Sequence, residues 1–170
     1  MPDHSFNLRP MLPDDLPAVL AVQQQCYAPE MNEGEAVWRE RLAAADGFSW
    51  VLERRSEVCA YLATYPSRLG KVTPLGGAFV VAGTADCLYL HDLAVAPAAA
   101  GNGLGARLVG QALQTAQRHG LAHAALVCVQ DAQPFWQGHG FNERLTLAPA
   151  ATTALATYPP PARYMWRTVA

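Results

Sequence analysis

The run Leu88-Tyr-Leu-His-Asp-Leu-Ala-Val95 is apolar and strand-like, and after a few small residues the turn Gly101-Asn-Gly103-Leu-Gly105 leads straight into an amphipathic stretch. Strand, glycine turn and helix in that order build an anion site. Glycine lets the backbone approach a ligand without interference from a Cβ, and a helix start offers unpaired N–H groups and the positive end of the helix dipole. The anion that fits such a backbone cradle is a pyrophosphate.

The chain has 170 residues, 51% hydrophobic and 15% charged, enough to bury one sizeable core, so a single domain over residues 1–170 is expected. The opening Met1-Pro-Asp-His-Ser-Phe6 lacks the charged-then-apolar build of a signal peptide. No apolar run approaches the roughly 20 residues of a membrane helix, so a cytoplasmic protein without a membrane partner is expected. Cys26, Cys59, Cys87 and Cys128 lie far apart without paired ligand spacing and read as free thiols, with no metal site. With a net charge of −2, a single lysine and no basic cluster beyond Arg54-Arg55, a nucleic-acid groove is excluded. A homodimer is compatible with this composition.

Strands and helices alternate along the chain. Phe6 to Arg9 reads as a first strand, and Pro13-Asp-Asp opens a helix to about Gln25, with proline and acids favourable in the first turn. Glu35 to Ala45 reads as a second helix, and Phe48 to Glu53 with Val58 to Tyr65 as a hairpin about Arg54-Arg55-Ser56-Glu57. Lys71 to Gly83 has turn signals and no period. Cys87 to Val95 is a strand, and Leu104 to His119 a helix with one apolar stripe, stopped by Gly120. Ala124 to Val129, Phe141 to Leu147 and Arg163 to Val169 are expected strands, with a short helix at Pro134 to Gly138 and a loop around Pro159-Pro160-Pro161.

Gly101-Asn-Gly103-Leu-Gly105-Ala106 formally satisfies the G-x-G-x-x-A dinucleotide fingerprint. The first glycine, however, stands several residues past its strand, and the next strand ends in Val127-Cys-Val-Gln130 without a carboxylate for a ribose. The strands before the motif also read as antiparallel hairpins, so a dinucleotide fold is set aside.

Taken together, His91-Asp-Leu-Ala-Val-Ala-Pro97, Gly101 to Leu108, the helix to Gly120, Ala124 to Val129 and Pro134-Phe-Trp-Gln-Gly-His-Gly-Phe141 resemble the GNAT superfamily of N-acetyltransferases. Asn7-Leu-Arg-Pro10 with Asp14-Asp-Leu16 resembles the family's opening, and Arg163-Tyr-Met-Trp-Arg167 its last strand, so the likeness spans nearly the whole chain. The resemblance implies an α/β (α+β) fold whose mixed, mostly antiparallel sheet splays between its fourth and fifth strands, with helices on both faces. It implies acetyl-coenzyme A in the gap and transfer of its acetyl group to a primary amine of a small molecule or amino-acid-like acceptor, by direct attack in a ternary complex. An acetyl-coenzyme A sensor or interaction module of the same fold with little turnover is the alternative.

On these residues the resemblance places the pyrophosphate on the turn Ala100, Gly101, Asn102, Gly103, Leu104, Gly105 and Ala106. The pantetheine arm falls beside the backbone of Leu93, Ala94 and Val95, with an amide near Leu93 facing the developing oxyanion. Gln130, Phe135 and Trp136 complete the cofactor set. The family's usual Arg or Gln is Ala100, its asparagine after the fifth strand is replaced by Gln130-Asp131, and a tyrosine common in relatives is Trp136, whose indole cannot release a proton. A substrate ammonium must lose a proton before attack, and His91 is the first candidate base, followed by Asp92. His91 resembles the strand histidine of arylalkylamine acetyltransferases, with Tyr89 in the place of a second one. Strict alternation puts His91 with Tyr89 and Leu93 on one face and Asp92 with Leu90 and Ala94 on the other; an imidazole and an acid in mid-strand point to a bulge or a wet cleft. The acid-rich Pro29 to Glu35 is the expected acceptor wall and points to a cationic acceptor, while His139, Tyr164 and solvent are the remaining proton donors to a thiolate.

Overall fold

The computed structural model describes residues 5–143 and 145–170. Among the described residues six strands form one sheet in sequence order: β1 (Asn7–Pro10), β2 (Ser49–Arg54), β3 (Glu57–Ser67), β4 (Cys87–Val95), β5 (His123–Cys128) and β6 (Arg163–Thr168). All neighbours are antiparallel except β4 and β5, which run parallel because α3 (Leu104–Arg118) crosses between them. The β2–β3 hairpin turns through Arg55 and Ser56, both at positive φ.

The sheet buries apolar side chains on both faces. One face packs under α3, where Leu104, Leu108, Val109, Ala112 and Ala116 recur at helical spacing against Leu62, Leu88, Leu90 and Leu126. The other carries α1 (Leu16–Cys26) and α2 (Glu35–Ala44), whose Leu16, Val19, Val22 and Trp38 meet Val51, Tyr61 and Tyr65. Gly120 at φ +67 ends α3, as its position in the sequence implies. Cys26, Cys59, Cys87 and Cys128 are free thiols, and no helix among the described residues is long and apolar enough to cross a membrane.

Two expectations are corrected. Phe141 to Leu147 is not a strand: only Asn142 pairs, as a bridge to Trp166, and Arg144 lies outside the described residues. The Pro-rich connection instead contains a helix, α5 (Pro149–Leu155), with proline at its start and Ala151 buried; α4 (Gln133–Gly138) is the expected short helix.

Strand β4 decides what the sheet can do. It pairs with β3 along its length, but with β5 only from Cys87↔His123 to Leu90↔Leu126. Beyond Leu90 the two strands separate. At the same point Ala63 lies opposite Asp92 while Thr64 lies opposite Leu90, so His91 is the extra residue of a β-bulge. The bulge reverses the alternation: Leu88 and Leu90 face α3 before it, Leu93 and Val95 after it. His91 and Asp92 consequently lie on the same face, the one under α1 and α2, and not on opposite faces as strict alternation requires.

Leu108 is fully buried at the centre of the α3 seam. Leu108→Ala is expected to cost about 2–5 kcal/mol of unfolding free energy through the cavity it leaves, read by urea denaturation; a loss below about 1 kcal/mol would show that this seam does not carry the packing assigned to it.

Candidate active site

Where β4 and β5 part, a cleft of about 540 Å³ opens. Its walls are the β4 edge from Leu90 to Val95, the turn and first residues of α3, the end of β5, Phe135 and Trp136 of α4, and the segment after α1. Antiparallel pairing orients the β4 backbone. Ala96 N–H donates to Cys59 O on β3 at 2.8 Å, so at alternate residues Leu93 and Val95 the N–H and C=O groups point away from β3 into the opening. The carbonyls there are engaged: the Tyr27 hydroxyl donates to Leu93 O at 2.8 Å, and the Cys26 thiol to Val95 O at 3.2 Å.

At the far end of this edge, Gly101 (φ +82) and Gly103 (φ +71) adopt left-handed conformations, and a Cβ on either would meet only open space. Gly103 is the N-cap of α3 with no side-chain cap, and the first helical bond is from Arg107 N–H to Gly103 O. The amides of Leu104, Gly105 and Ala106 therefore have no acceptor within the helix and present a positive end to the cleft. Gly105 is also where α3 passes the Phe135 ring, which a Cβ would approach to 3.1 Å. This half of the cleft fits a pyrophosphate followed by a strand-like arm.

The other half holds the charges. Glu33, on the segment between α1 and α2, is buried; its Oε1 accepts from Arg41 Nη1 at 2.7 Å and from His91 Nε2 at 2.9 Å. Its Oε2 accepts from Arg41 Nη2 at 2.5 Å and from the Gly76 amide at 2.8 Å. Gln23 on α1 fixes the Glu33 backbone, donating to its carbonyl at 2.9 Å and accepting from its N–H at 3.2 Å. Arg41 adds bonds to Gly77 O at 3.1 and 2.8 Å and lies over the Phe79 ring, which is edge-on to His91. Burial alone would raise the Glu33 carboxyl, but Arg41 and His91 outweigh it and hold the group well below the usual carboxylate range.

An ionised Glu33 obliges the His91 Nε2 to donate, which leaves Nδ1 of the neutral ring as the lone-pair nitrogen; Nδ1 is buried and has no partner. Burial lowers the His91 pKa, against the pull of Glu33, so the ring is neutral at pH 7. Burial pushes Asp92 up to about 7, opposed by the phenols of Tyr27 and Tyr61. Tyr61 donates to Asp92 Oδ2 at 2.8 Å, and Asp92 Oδ1 is buried with no partner.

The cleft gathers nearly every residue singled out in the sequence: His91, Asp92, Leu93, Ala94, Val95, Ala100, Gly101, Gly103, Leu104, Gly105, Ala106, Gln130, Phe135 and Trp136 all line it. Tyr89 and Asn102 do not. The Tyr89 ring is buried beside Tyr65, and the Asn102 amide donates to the carbonyls of Ala99 and Ala100, holding the turn. His139 and Tyr164 also lie outside the lining, the latter accepting from the Gly70 amide. Gln130, at φ +52, reaches across to donate to Cys26 O and accept from Ala28 N–H, tying β5 to the end of α1. Trp136 is edge-on to Phe141 within the α3-side core.

Sequence reasoning missed Glu33 as a buried partner of His91, and the phenols of Tyr27 and Tyr158 on the cleft wall. The only signal for Glu33 was its place in the acid-rich Pro29 to Glu35, which does not form a shared negative wall: Glu33 is neutralised by Arg41, and Glu35 pairs with Arg39 on the surface.

The sequence matches the family described as "Acetyltransferase (GNAT) family" over residues 16–141. No curated protein matches it. Among solved structures, the fold is similar to the ribosomal-protein-S18-alanine N-acetyltransferase from Escherichia coli (TM-score 0.69, 18% identity, covering 98% of this chain and 95% of that one). It is also similar to the GphF GNAT-like decarboxylase in complex with isobutyryl-CoA (0.73, 16%, 96% and 100%). A third is a GNAT family acetyltransferase from Brucella melitensis in complex with acetyl-CoA (0.60, 23%, 86% and 90%).

Glu33→Gln leaves Arg41 buried without its counter-charge and is expected to destabilise the protein by about 3 kcal/mol or more in urea denaturation. Because the folded-state pKa of Glu33 is depressed, its contribution is present above the ordinary value of 4.5 and lost as pH falls below it. The stability gap between wild type and variant therefore narrows under acid; a gap independent of pH would contradict the pairing.

Proposed function

This chain belongs to the GNAT acetyltransferase family, whose co-substrate is acetyl-coenzyme A, and from that premise we propose that it is a single-domain cytoplasmic N-acetyltransferase acting on a primary amine of a small acceptor. The observation that carries the reading is the β4 edge, freed from β5 beyond Leu90 and ending at the uncapped start of α3. That edge runs about 13 Å from His91 to Val95 at about 3.3 Å per residue, so it separates the charged half of the cleft from the glycine turn by the length of an extended arm.

Acetyl-coenzyme A supplies an activated acyl thioester. The amides of Leu104, Gly105 and Ala106 would hold its pyrophosphate through backbone donors and the helix dipole, which is why the turn needs no lysine. The inward-facing N–H groups of Leu93 and Val95 would receive the peptide-like arm, and the Leu93 amide would polarise the acyl carbonyl. His91, neutral and held by Glu33, would take the proton of the ammonium on its free Nδ1. Asp92, with a free Oδ1 beside it in sequence and on the same face, would hold the amine. Much of the rate comes from positioning two bound reactants. Trp136 would pack against the arm and supply no proton.

Amine-dependent release of free thiol from acetyl-coenzyme A tests the reaction; binding without release would instead support the sensor. Gly103→Val is expected to weaken acetyl-coenzyme A binding at least 10-fold in calorimetry while the fold persists, because a branched side chain is strained at φ +71 and shifts the turn whose amides would hold the pyrophosphate. Unchanged affinity would remove the turn from the site. His91→Ala is expected to lower turnover by roughly 10²-fold with little change in cofactor affinity. In the wild type, activity rises with pH through a limb below the ordinary imidazole value of 6.5, since burial lowers His91, and the variant lacks it. A limb near 7 that survives His91→Ala would transfer the base to Asp92.

A further inference from the structure

The half of the cleft beyond His91 is lined by Met31, Glu33, Leu75, His91, Asp92 and Tyr158, and its charges balance in an unusual way. Both oxygens of Glu33 are spent on Arg41, with His91 and the Gly76 amide completing them, so this carboxylate has no room for a substrate cation. Arg41 is equally committed: its guanidinium gives its bonds to Glu33 and Gly77 O, is 2% exposed as a residue, and does not reach the cleft wall. No arginine or lysine lines the cleft among the described residues. His91 is an uncharged ring. One carboxyl oxygen is left for an ammonium, the buried Oδ1 of Asp92, which lacks a partner. The remaining wall is Met31, Leu75 and Tyr158, whose hydroxyl donates to Thr73 O at 2.6 Å.

A substrate brought here can satisfy one ammonium and no second charge. A carboxylate on the same molecule would be desolvated without a cation to receive it, and a second ammonium would meet Met31 and Leu75, each a burial that costs more than the apolar contact returns. From this balance we infer that the acceptor is a monoamine with an uncharged, apolar body, an arylalkyl- or alkylamine, and not an α-amino acid, a polyamine or an aminoglycoside. The inference rests on the acceptor role given to this half of the cleft above, and narrows it: the amino-acid-like acceptor implied by the sequence has no place for its carboxylate.

Three probes separate these classes at similar size: 2-phenylethylamine, phenylalanine, which adds only a carboxylate, and spermidine, which adds ammonium groups. Thiol release from acetyl-coenzyme A is expected to show kcat/KM for 2-phenylethylamine at least roughly 100-fold above either of the others, since a site that leaves a buried charge unpaired discriminates strongly. Comparable or better use of phenylalanine or spermidine would overturn the inference. If no probe releases thiol, calorimetric titration of the same three amines into coenzyme A-saturated protein decides the inference by itself. Binding of 2-phenylethylamine alone supports it; equal binding of all three, or none, overturns it. Asp92→Asn is expected to weaken that amine at least 10-fold with coenzyme A affinity unchanged. Because a change at a buried carboxyl can disturb the fold, Leu75→Glu, on a half-exposed wall residue, gives a second reading: it is expected to raise spermidine binding at the expense of 2-phenylethylamine, and no shift in preference would contradict the charge balance.

Discussion

The fold turns on the break in hydrogen bonding between β4 and β5. Four residue pairs hold the two strands in parallel, and after Leu90↔Leu126 each continues with a different neighbour, β4 with β3 and β5 with β6. Strands that part leave backbone groups without ladder partners, which is costly where they are buried. Here the loss is absorbed by the His91 bulge, by Tyr27 and Cys26 on the exposed carbonyls, and by Gln130 joining the two sides. The groups left pointing inward are those an extended, amide-containing ligand can use.

The bulge also determines which side chains share a face. Without it, adjacent His91 and Asp92 would point to opposite faces, one of them into the packed seam under α3. With it both face α1 and α2, where polar partners wait: Glu33, itself paired with Arg41, for the imidazole, and Tyr61 for the carboxyl. Burying this many ionisable groups is tolerable because Glu33 and Arg41 cancel, and because burial keeps His91 neutral and Asp92 near its midpoint at neutral pH. The fold itself does not select the reaction, since a decarboxylase shares it; the argument for amine acetylation lies in the residues on the bulge and their surroundings.

How much of this could be read from the sequence follows the range of the interactions. The glycine turn, the apolar stripe of α3 and the β2–β3 hairpin are local patterns, and the cleft residues on them were legible as a contiguous set. The awkward pairing of His91 with Asp92 pointed to a bulge because it violated a period of two, although the face each would occupy depended on its position. Glu33 was hidden: it reaches His91 across 58 residues and Arg41 by a loop whose shape depends on Gln23. Asn102 belonged to the motif by position, yet its amide is consumed locally. Among the described residues, the absence of a strand at Phe141 to Leu147 and the presence of α5 reflect tertiary context, since a β-rich run there finds one bridge, to Trp166.

On the proposed reading, one edge, from the β4 bulge to the start of α3, receives the co-substrate. Amide hydrogen exchange with and without acetyl-coenzyme A addresses it directly, because the groups in question are backbone N–H. Slowed exchange is expected at Leu93, Val95 and Leu104 to Ala106, with β1 and β2 unchanged. Protection confined to other elements, or none at saturating acetyl-coenzyme A, would contradict it.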